Sequence, residues 1–352
     1  MKDSTFFGID LHAKQSWFEV RAGKRPVFSG SVPNDWSAIE RVLDLAVGRR
    51  IAAVEAGGNW PWLVYGLQDR GVEVRLLHPP SVTPYRQTRA KTDRIDAALL
   101  CRLASEPWRV KESWICPEYW AGVRLALRTR EQLVDMRTAV RNRLHALLRQ
   151  LGRRPPVGCI WGPTGAAWLK EQVLPVGGRE ALQSLRRVEQ VLQTQDQALL
   201  EVMQKALGGC RPVQSLLSLP QCGPVTALTV CIESGDIARF RNRRSYVAHC
   251  ALAPATSESG GKHQRRGLSR RGNQRLKKAY TEWAFRLLIR NPKLAADYDD
   301  APNFGQAKAM LGRKLAGAVR NLLLNDEPFS IERLGRRKTD VGSIMASSAC
   351  HP

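Results

Sequence analysis

The first 105 residues alternate between two hydrophobic periods, and this alternation limits the fold more than any other feature of the sequence. Short β-prone runs separated by turn residues come first, and segments with helical spacing then alternate with buried-type strands. The predicted strands are Thr5–Asp10, Ser16–Ala22, Val27–Val32, Ile51–Glu55 and Val72–Leu77, and the predicted helices are Asp35–Val47, Trp60–Arg70 and Asp93–Ser105. The order β-β-β-α-β-α-β-α predicts an α/β domain, a mixed sheet flanked by helices.

From residue 118 onward the pattern is of a different kind. Apolar residues follow helical spacing over two long stretches, and a segment rich in Gly, Pro and Trp at 152–178 separates them. Two interpretations remain open: an ordinary helical bundle, or an antiparallel or intermolecular coiled coil that carries oligomerisation. After Gly208-Gly209 a mainly α-helical region follows. We predict four parts: a domain at 1–110, a helical connector at 111–207, a C-terminal domain at 208–334 and a flexible tail at 335–352.

The charge of the chain indicates a polyanionic partner. Lys and Arg number 55 against 32 Asp and Glu, a net charge of +23, and most of the excess lies after residue 110. Eight cations without an acid among them lie between Gly261 and Thr281, whereas a solvated surface usually mixes both signs. The predicted nucleic-acid contacts of this basic segment are Lys262, Arg265, Arg266, Arg270, Arg271, Arg275, Lys277 and Lys278.

Other classes of protein fit the sequence poorly. There is no run of about 18 apolar residues, and no amphipathic apolar anchor accompanies the basic segment, so a membrane protein and a membrane-surface binder are both disfavoured. The eight cysteines never approach a CxxC spacing, which argues against a zinc site or a disulfide scaffold. The expected location is the reducing cytoplasm.

Four carboxylates fall at the ends of predicted elements. Asp10 ends the first strand, Glu55 ends the fourth, and Asp93 and Asp96 lie three apart at a helix start, where residues i and i+3 share a face. Clustered carboxylates need a cation, and hard oxygen ligands suit Mg²⁺ or Mn²⁺. Two such ions can activate an attacking oxygen and stabilise a leaving one in phosphodiester cleavage. Each acid alone is more commonly a solvated turn residue or a helix-dipole partner.

Two glycine-containing segments of the C-terminal part are candidates for phosphate contact. In Leu219–Ala227 a Gly-Pro turn joins two apolar helices, which indicates a helix-hairpin-helix, and we predict that Gly223 and Thr226 bind nucleic acid at the start of the second helix. A plain corner between two helices is the alternative. A small polar loop then carries Ser259 beside Gly260-Gly261, and such a serine is either a nucleophile toward phosphorus or an ordinary surface residue.

The ordered set of these motifs resembles a known family. GIDLHAK, AVEAGG, KTDRIDA, SLPQCGPVTA, GDIARF, SGGK and SRRGNQRLKKA occur in this order over nearly the whole chain. Together they resemble the DEDD transposases of the insertion-sequence 110 family, which includes Piv-type DNA invertases. The resemblance implies a RuvC-like (RNase H-like) N-terminal domain, a coiled-coil connector and a C-terminal transposase domain with a helix-hairpin-helix.

The resemblance also implies the chemistry. Asp10, Glu55, Asp93 and Asp96 would be the four metal-binding acids, with Mg²⁺ or Mn²⁺ as the cofactor, and Ser259 would be the nucleophile of a site-specific recombinase that forms a phosphoserine link. The implied partners are double-stranded donor and target DNA, a noncoding guide RNA encoded by the element, and further copies of the chain in a dimer or tetramer. Because the acids and the serine lie in different predicted domains, a site shared between protomers is a hypothesis.

The sequence departs from the family at one turn and leaves rival functions open. Gln221 stands where the family turn has glycine, which weakens the predicted phosphate contact there and puts left-handed backbone geometry in doubt. Ser257 is two residues from Ser259 and is the alternative nucleophile. The rival functions are a RuvC-like, metal-dependent Holliday-junction nuclease that needs no serine and a non-catalytic nucleic-acid-binding factor.

Overall fold

The computed structural model describes residues 4–86, 92–106, 109–155, 160–259, 262–268 and 271–335, and for 255–259 and 262–266 it describes the backbone only. The chain divides into two compact units, Met1–Glu118 and Tyr119–Pro352. The four-part division of the sequence stays a prediction.

The N-terminal unit is built on a five-stranded mixed sheet of order β3-β2-β1-β4-β5. β1 pairs antiparallel with β2 and parallel with β4, β2 pairs antiparallel with β3, and β4 pairs parallel with β5. Its elements are β1 (Ser4–Asp10), β2 (Gln15–Ala22), β3 (Arg25–Pro33), α1 (Trp36–Leu43), β4 (Arg49–Glu55), α2 (Trp60–Asp69), β5 (Glu73–Leu77), α3 (Pro79–Val82) and α4 (Asp93–Ser105). The predicted mixed sheet is confirmed.

Alternation along the central strands gives the sheet two apolar faces. Phe7 and Ile9 pack in one buried cluster with residues of α1 and α2, whereas Phe6 packs in another with Leu100 of α4. Pro79 and Pro80 follow β5 and open the short helix α3, because Pro suits the first helical turn, where its missing N–H has no intrahelical partner.

Gly8 sets how closely α4 approaches the sheet. A Cβ at this position would lie 2.0 Å from the carbonyl oxygen of Ala97 and 2.2 Å from the backbone nitrogen of Cys101. Only a glycine permits this contact between β1 and α4. At the start of α4, the Thr92 side chain accepts a hydrogen bond from the Ile95 N–H at 3.3 Å and fixes the helix N-terminus. The carboxylates of the first turn are thereby placed beside the end of β1.

The second unit is mainly helical. It comprises α5 (Glu118–Gln150, whose first residue belongs to the other unit), α6 (Pro163–Glu171), α7 (Gly178–Leu207), α8 (Arg211–Leu217), α9 (Pro224–Ser234), α10 (Arg243–His249), β6 (Pro254–Ser259), β7 (Lys262–Leu268), α11 (Gln274–Arg290), α12 (Pro292–Ala296) and α13 (Phe304–Asn325). α9 is buried from Thr226 to Ser234 and lies in the core with α11 and α13. The predicted helical C-terminal region is confirmed.

α5 and α7 run antiparallel. Buried ion pairs join the middle sections of the two helices, and apolar side chains pack between them at both ends. Glu189 and Asp196 of α7 are buried, and Arg137 of α5 contacts both, at 3.1 Å and 3.2 Å. Arg141 adds a contact to Glu189 at 2.6 Å and Arg130 one to Asp196 at 2.8 Å. A charged middle section departs from the apolar seam of an ideal coiled coil.

The segment expected to be a polar loop forms a two-stranded antiparallel ribbon, β6–β7. Thr256 pairs with Arg265 and Ser259 with Lys262 across it. PATSES and KHQRRGL contain few β-branched or aromatic residues, so cross-strand pairing and not residue preference makes these strands. The basic segment is consequently divided between a strand and the start of α11.

Gln221 takes the left-handed conformation that its side chain puts in doubt, with φ of 57°. We expect Gln221→Gly to raise the free energy of unfolding by about 0.5–1 kcal/mol, because glycine adopts positive φ without the steric cost borne by other residues. Urea unfolding followed by circular dichroism measures this change. Gln197→Gly, in the exposed interior of α7, should instead lower stability by about 1 kcal/mol. A destabilised Gln221→Gly variant would contradict the prediction.

The six cysteines within the described residues are free thiols, and burial raises the pKa of Cys101 to about 12. Among the described residues no helix is both long and apolar enough to cross a bilayer.

Candidate active site

The acids predicted from the sequence converge at one end of the N-terminal sheet. β1 and β4 are parallel neighbours with Ile9 opposite Val54, so Asp10 and Glu55 follow at the same edge. α4 lies against β1 at Gly8, and its first turn carries Asp93 and Asp96. Asp96 is buried and Asp10 half-buried, while Asp93 is exposed.

His12 joins two of the four acids. Its Nε2 lies 3.2 Å from Asp10 Oδ2 and 3.3 Å from Asp93 Oδ1. Ligand atoms of Asp10, His12 and Asp93 all lie within 4.8 Å of one another. Among the described residues this is the group whose spacing suits a metal ion.

Arg86 joins the other two acids. Its Nη2 lies 2.7 Å from Glu55 Oε2, and its Nε lies 3.2 Å from Asp96 Oδ1. The four carboxylates are therefore held as two pairs, each bridged by one nitrogen-containing side chain.

The electrostatics of the cluster favour a bound cation. Burial raises the pKa of Asp10, and the neighbouring charges of Asp96 and Asp93 raise it further, while His12 opposes them. Carboxylates that repel one another at partly buried positions gain most from a multivalent cation. The oxygen donors and the single imidazole therefore fit a divalent metal ion.

His12 and Arg86 are the functional candidates that the sequence reasoning missed. His12 lies two residues after Asp10 in the GIDLHAK motif, so its proximity to the first acid is a signal that sequence reading could have used. Arg86 lies outside the quoted motifs, and only the tertiary structure brings it to Glu55.

Ser259 ends β6, and its side chain lies outside the described residues, as do those of Ser257, Lys262, Arg265 and Arg266. Arg270 is not described at all. Of the remaining predicted cations, Arg271 precedes α11, while Arg275, Lys277 and Lys278 lie in its first two turns. Arg275 pairs with Glu131 of α5 at 2.6 Å. The roles assigned to these residues stay predictions.

The turn before α9 lies where the sequence predicts it, but the Thr226 hydroxyl already has a hydrogen-bond partner. Gly223 is the N-cap of α9, and Pro224 is its first residue. Thr226 is buried, and its Oγ1 accepts a hydrogen bond from Arg286 Nη2 at 2.7 Å. Any phosphate contact at this turn would therefore fall to backbone N–H groups.

A buried carboxylate organises the start of α11. Glu233 of α9 accepts hydrogen bonds from Arg124 at 3.1 Å, Arg128 at 3.1 Å and Asn273 at 2.8 Å. Burial alone would raise its pKa, but Arg124 and the hydrogen bonds from Arg128 and Asn273 outweigh burial and lower the pKa to about 2. Asn273 also caps α11, so Glu233 fixes the helix that carries the basic residues.

His249 has a structural environment. Its ring centroid lies 4.9 Å from that of Phe240, and its Nε2 lies 3.3 Å from Arg239 Nη2. Burial and the neighbouring Arg239 lower the pKa of His249 to about 4, so the imidazole is neutral at pH 7.

Two family models match the chain in order. The first, a DEDD transposase model, covers residues 7–152 and therefore all four acids. The second, described as transposase of the IS116/IS110/IS902 family, covers residues 213–299 and therefore the turn before α9, the β6–β7 ribbon and α11.

Curated relatives agree with these models. The transposase of insertion sequence element IS1111A from Coxiella burnetii is 29% identical over 274 residues, 74% of this chain and 71% of that protein. That of IS1328 from Yersinia enterocolitica is 26% identical over 236 residues, 66% of this chain and 70% of that protein. The protein y4rJ of Sinorhizobium fredii, also assigned as a transposase, is 31% identical over 279 residues, 70% of this chain and 67% of that protein. The chain belongs to the insertion-sequence 110 family of DEDD transposases and is a DNA-processing enzyme.

Proposed function

We propose that this transposase is a site-specific DNA recombinase that cuts and rejoins strands through a phosphoserine intermediate. The observation that carries the proposal is the convergence of Asp10, Asp93 and Asp96 beside Glu55 at the carboxyl ends of β1 and β4. The strand order β3-β2-β1-β4-β5 supports a RuvC-like fold for this domain.

The DEDD type of the family indicates dependence on a divalent metal, and we assign Mg²⁺ or Mn²⁺. Asp10, Glu55, Asp93 and Asp96 would hold it. When bound, such an ion supplies charge stabilisation for phosphodiester cleavage. Before binding, Arg86 neutralises part of the carboxylate charge, and the contacts of Arg86 and His12 hold the acidic side chains in position.

Ser259 would supply the nucleophile. Its Oγ forms a bond to the phosphorus of a DNA strand as the bond from phosphorus to the leaving strand oxygen breaks, and the serine proton passes to solvent while the leaving oxygen gains one. A hydroxyl of another strand then attacks the same phosphorus and releases the serine. Because the phosphoester bond is conserved, rejoining needs no external energy source.

The partners follow from charge and family. A net charge of +23 supports binding of double-stranded donor and target DNA through phosphates. A guide RNA would leave sequence choice to base pairing, so that the protein reads mainly backbone and shape. Antiparallel α5 and α7 are our candidates for a coiled-coil connector that supports a dimer or tetramer, and the turn at Gly223 is our candidate for a helix-hairpin-helix.

The test is capture of the covalent intermediate. Purified protein, Mg²⁺, the RNA from the flanks of the element and labelled junction DNA are incubated, and a denaturing gel resolves any protein–DNA adduct. We expect the wild type to form an adduct, Ser259→Ala to form none, and Ser257→Ala to form one as the wild type does.

Each other result has a definite meaning. An adduct lost in Ser257→Ala and kept in Ser259→Ala would move the nucleophile to Ser257. Cleavage without any adduct, undiminished in both variants, would contradict the phosphoserine mechanism and establish a metal-dependent nuclease. Tight DNA binding without cleavage under any condition would indicate a non-catalytic binding factor.

A further inference from the structure

We infer that His12 is a direct nitrogen ligand of the divalent metal, which makes the site a mixed imidazole–carboxylate centre with a preference for Mn²⁺ over Mg²⁺. The inference rests on the metal site of the proposed function and adds a ligand outside its four acids.

The turn that presents His12 is held by three side chains. The His12 carbonyl accepts hydrogen bonds from Asn34 Nδ2 at 2.8 Å and Asn59 Nδ2 at 3.1 Å. Its N–H donates to Ser16 Oγ at 3.4 Å, and that hydroxyl in turn donates to Asn34 Oδ1 at 2.7 Å. The backbone of a short exposed turn is therefore fixed from two sides, as expected for a residue whose side chain must be presented in one place.

The position of the imidazole suits a ligand. Adjacent donors of an octahedral ion with ligand distances of ~2.1 Å lie roughly 3 Å apart. His12 Nε2 lies 3.2 Å from Asp10 Oδ2 and 3.3 Å from Asp93 Oδ1, so it relates to both oxygens as one neighbouring ligand to another. The ligand atoms of Asp10, His12 and Asp93 all lie within 4.8 Å of one another, so a single ion could contact all three.

Arg86 contacts one oxygen of Glu55 and one of Asp96. The carboxylate oxygens nearest to the imidazole belong to Asp10 and Asp93. An imidazole nitrogen is a softer donor than a carboxylate oxygen. Mn²⁺, a first-row transition-metal ion, accepts such a donor beside oxygen ligands more readily than Mg²⁺ does. The mixed set therefore favours Mn²⁺ when both ions are present.

The experiment uses Mn²⁺ alone as the probe on the full-length protein. Pulsed electron paramagnetic resonance detects the coupling of a directly bound ¹⁴N nucleus to Mn²⁺, and calorimetric titration gives the Kd values for Mn²⁺ and Mg²⁺. We expect nitrogen coupling in the wild type and its loss in His12→Gln, with the Kd for Mn²⁺ raised about tenfold or more. The Kd for Mg²⁺ should change less.

Two further variants separate the possible failures. His78→Gln is the matched histidine control in the same unit and should keep the coupling, while Asp10→Asn should abolish specific binding of both ions. Mn²⁺ bound without nitrogen coupling, but still lost in Asp10→Asn, would overturn the inference and leave the proposed metal site intact. Mn²⁺ binding undiminished in Asp10→Asn, or no specific Mn²⁺ binding by the wild type, would overturn both.

Discussion

Asp10→Asn is expected to reduce DNA strand cleavage by at least about 10³-fold. A metal ion at a phosphoryl centre contributes several kcal/mol of transition-state stabilisation, and about 4 kcal/mol corresponds to that factor. The charges of Asp93 and Asp96 raise the pKa of Asp10, and His12 contacts its carboxylate, so Asp10 lies at the centre of the cluster. Replacing this carboxylate with the neutral amide of asparagine removes a metal ligand there. The measurement is the single-turnover rate of cleavage of junction DNA in Mg²⁺.

The control for this prediction is another Asp→Asn change in the same unit. Asp35 is the N-cap of α1, where its side chain accepts from the Ala38 N–H at 2.8 Å, and asparagine caps a helix equally well. Asp35→Asn should cleave at the wild-type rate. Both variants should keep the wild-type circular dichroism spectrum. Cleavage by Asp10→Asn at a rate near that of the wild type would remove this residue from the metal site.

Glu233→Gln is expected to lower the free energy of unfolding of the C-terminal unit by about 3 kcal/mol at pH 7. The carboxylate is fully buried and faces Arg124, which is mostly buried, and Arg128, which is partly exposed. Removing one partner leaves buried charge uncompensated, which commonly costs about 3–5 kcal/mol. The lower end applies because water can reach Arg128. Urea unfolding monitored by tryptophan fluorescence gives the difference.

The pH dependence of this difference has a definite sign. The pKa of Glu233 is lowered to about 2 in the folded protein, so its contribution to stability is present above its unfolded value near 4.5 and is lost as pH falls toward 2. The difference in free energy of unfolding between the wild type and Glu233→Gln should therefore be largest at pH 7 and smaller at pH 3.

Asp326→Asn is the control, because it changes an exposed ion pair with Arg211 at 2.8 Å and should cost less than 1 kcal/mol. An equal loss of stability in Asp326→Asn and Glu233→Gln would contradict the assignment of Glu233 as a buried anchor.

Most of the N-terminal unit could be predicted because local pattern and burial agree there. The helix Asp93–Ser105 has the same bounds in the structure as in the sequence prediction, since Thr92 caps it and apolar spacing continues to its end. The ribbon β6–β7 could not be predicted. Its residues have little intrinsic strand preference. They form strands because the two segments pair with each other, and neither segment alone indicates this pairing.

The candidate site divides in the same way. The four acids could be placed at element ends from the sequence, because the hydrophobic period changes there. Arg86 was missed because its role depends on reaching Glu55, 31 residues away in the chain. Glu233 was missed because the sequence around a single acid in an apolar helix does not indicate which three side chains contact it in the folded unit.

The sequence by itself determined the element order of the N-terminal sheet, the helical character of the rest, the basic charge and the acids that lie at strand and helix ends. Hydrophobic period, helix caps and net charge are local or additive properties, so they can be read from the sequence alone. The tertiary structure alone decided that His12 and Arg86 divide the acids into two pairs, that Gly8 admits α4 to the sheet, and that Glu233 holds α11. These features depend on distances between residues far apart in the chain, and such distances exist only once the elements have packed.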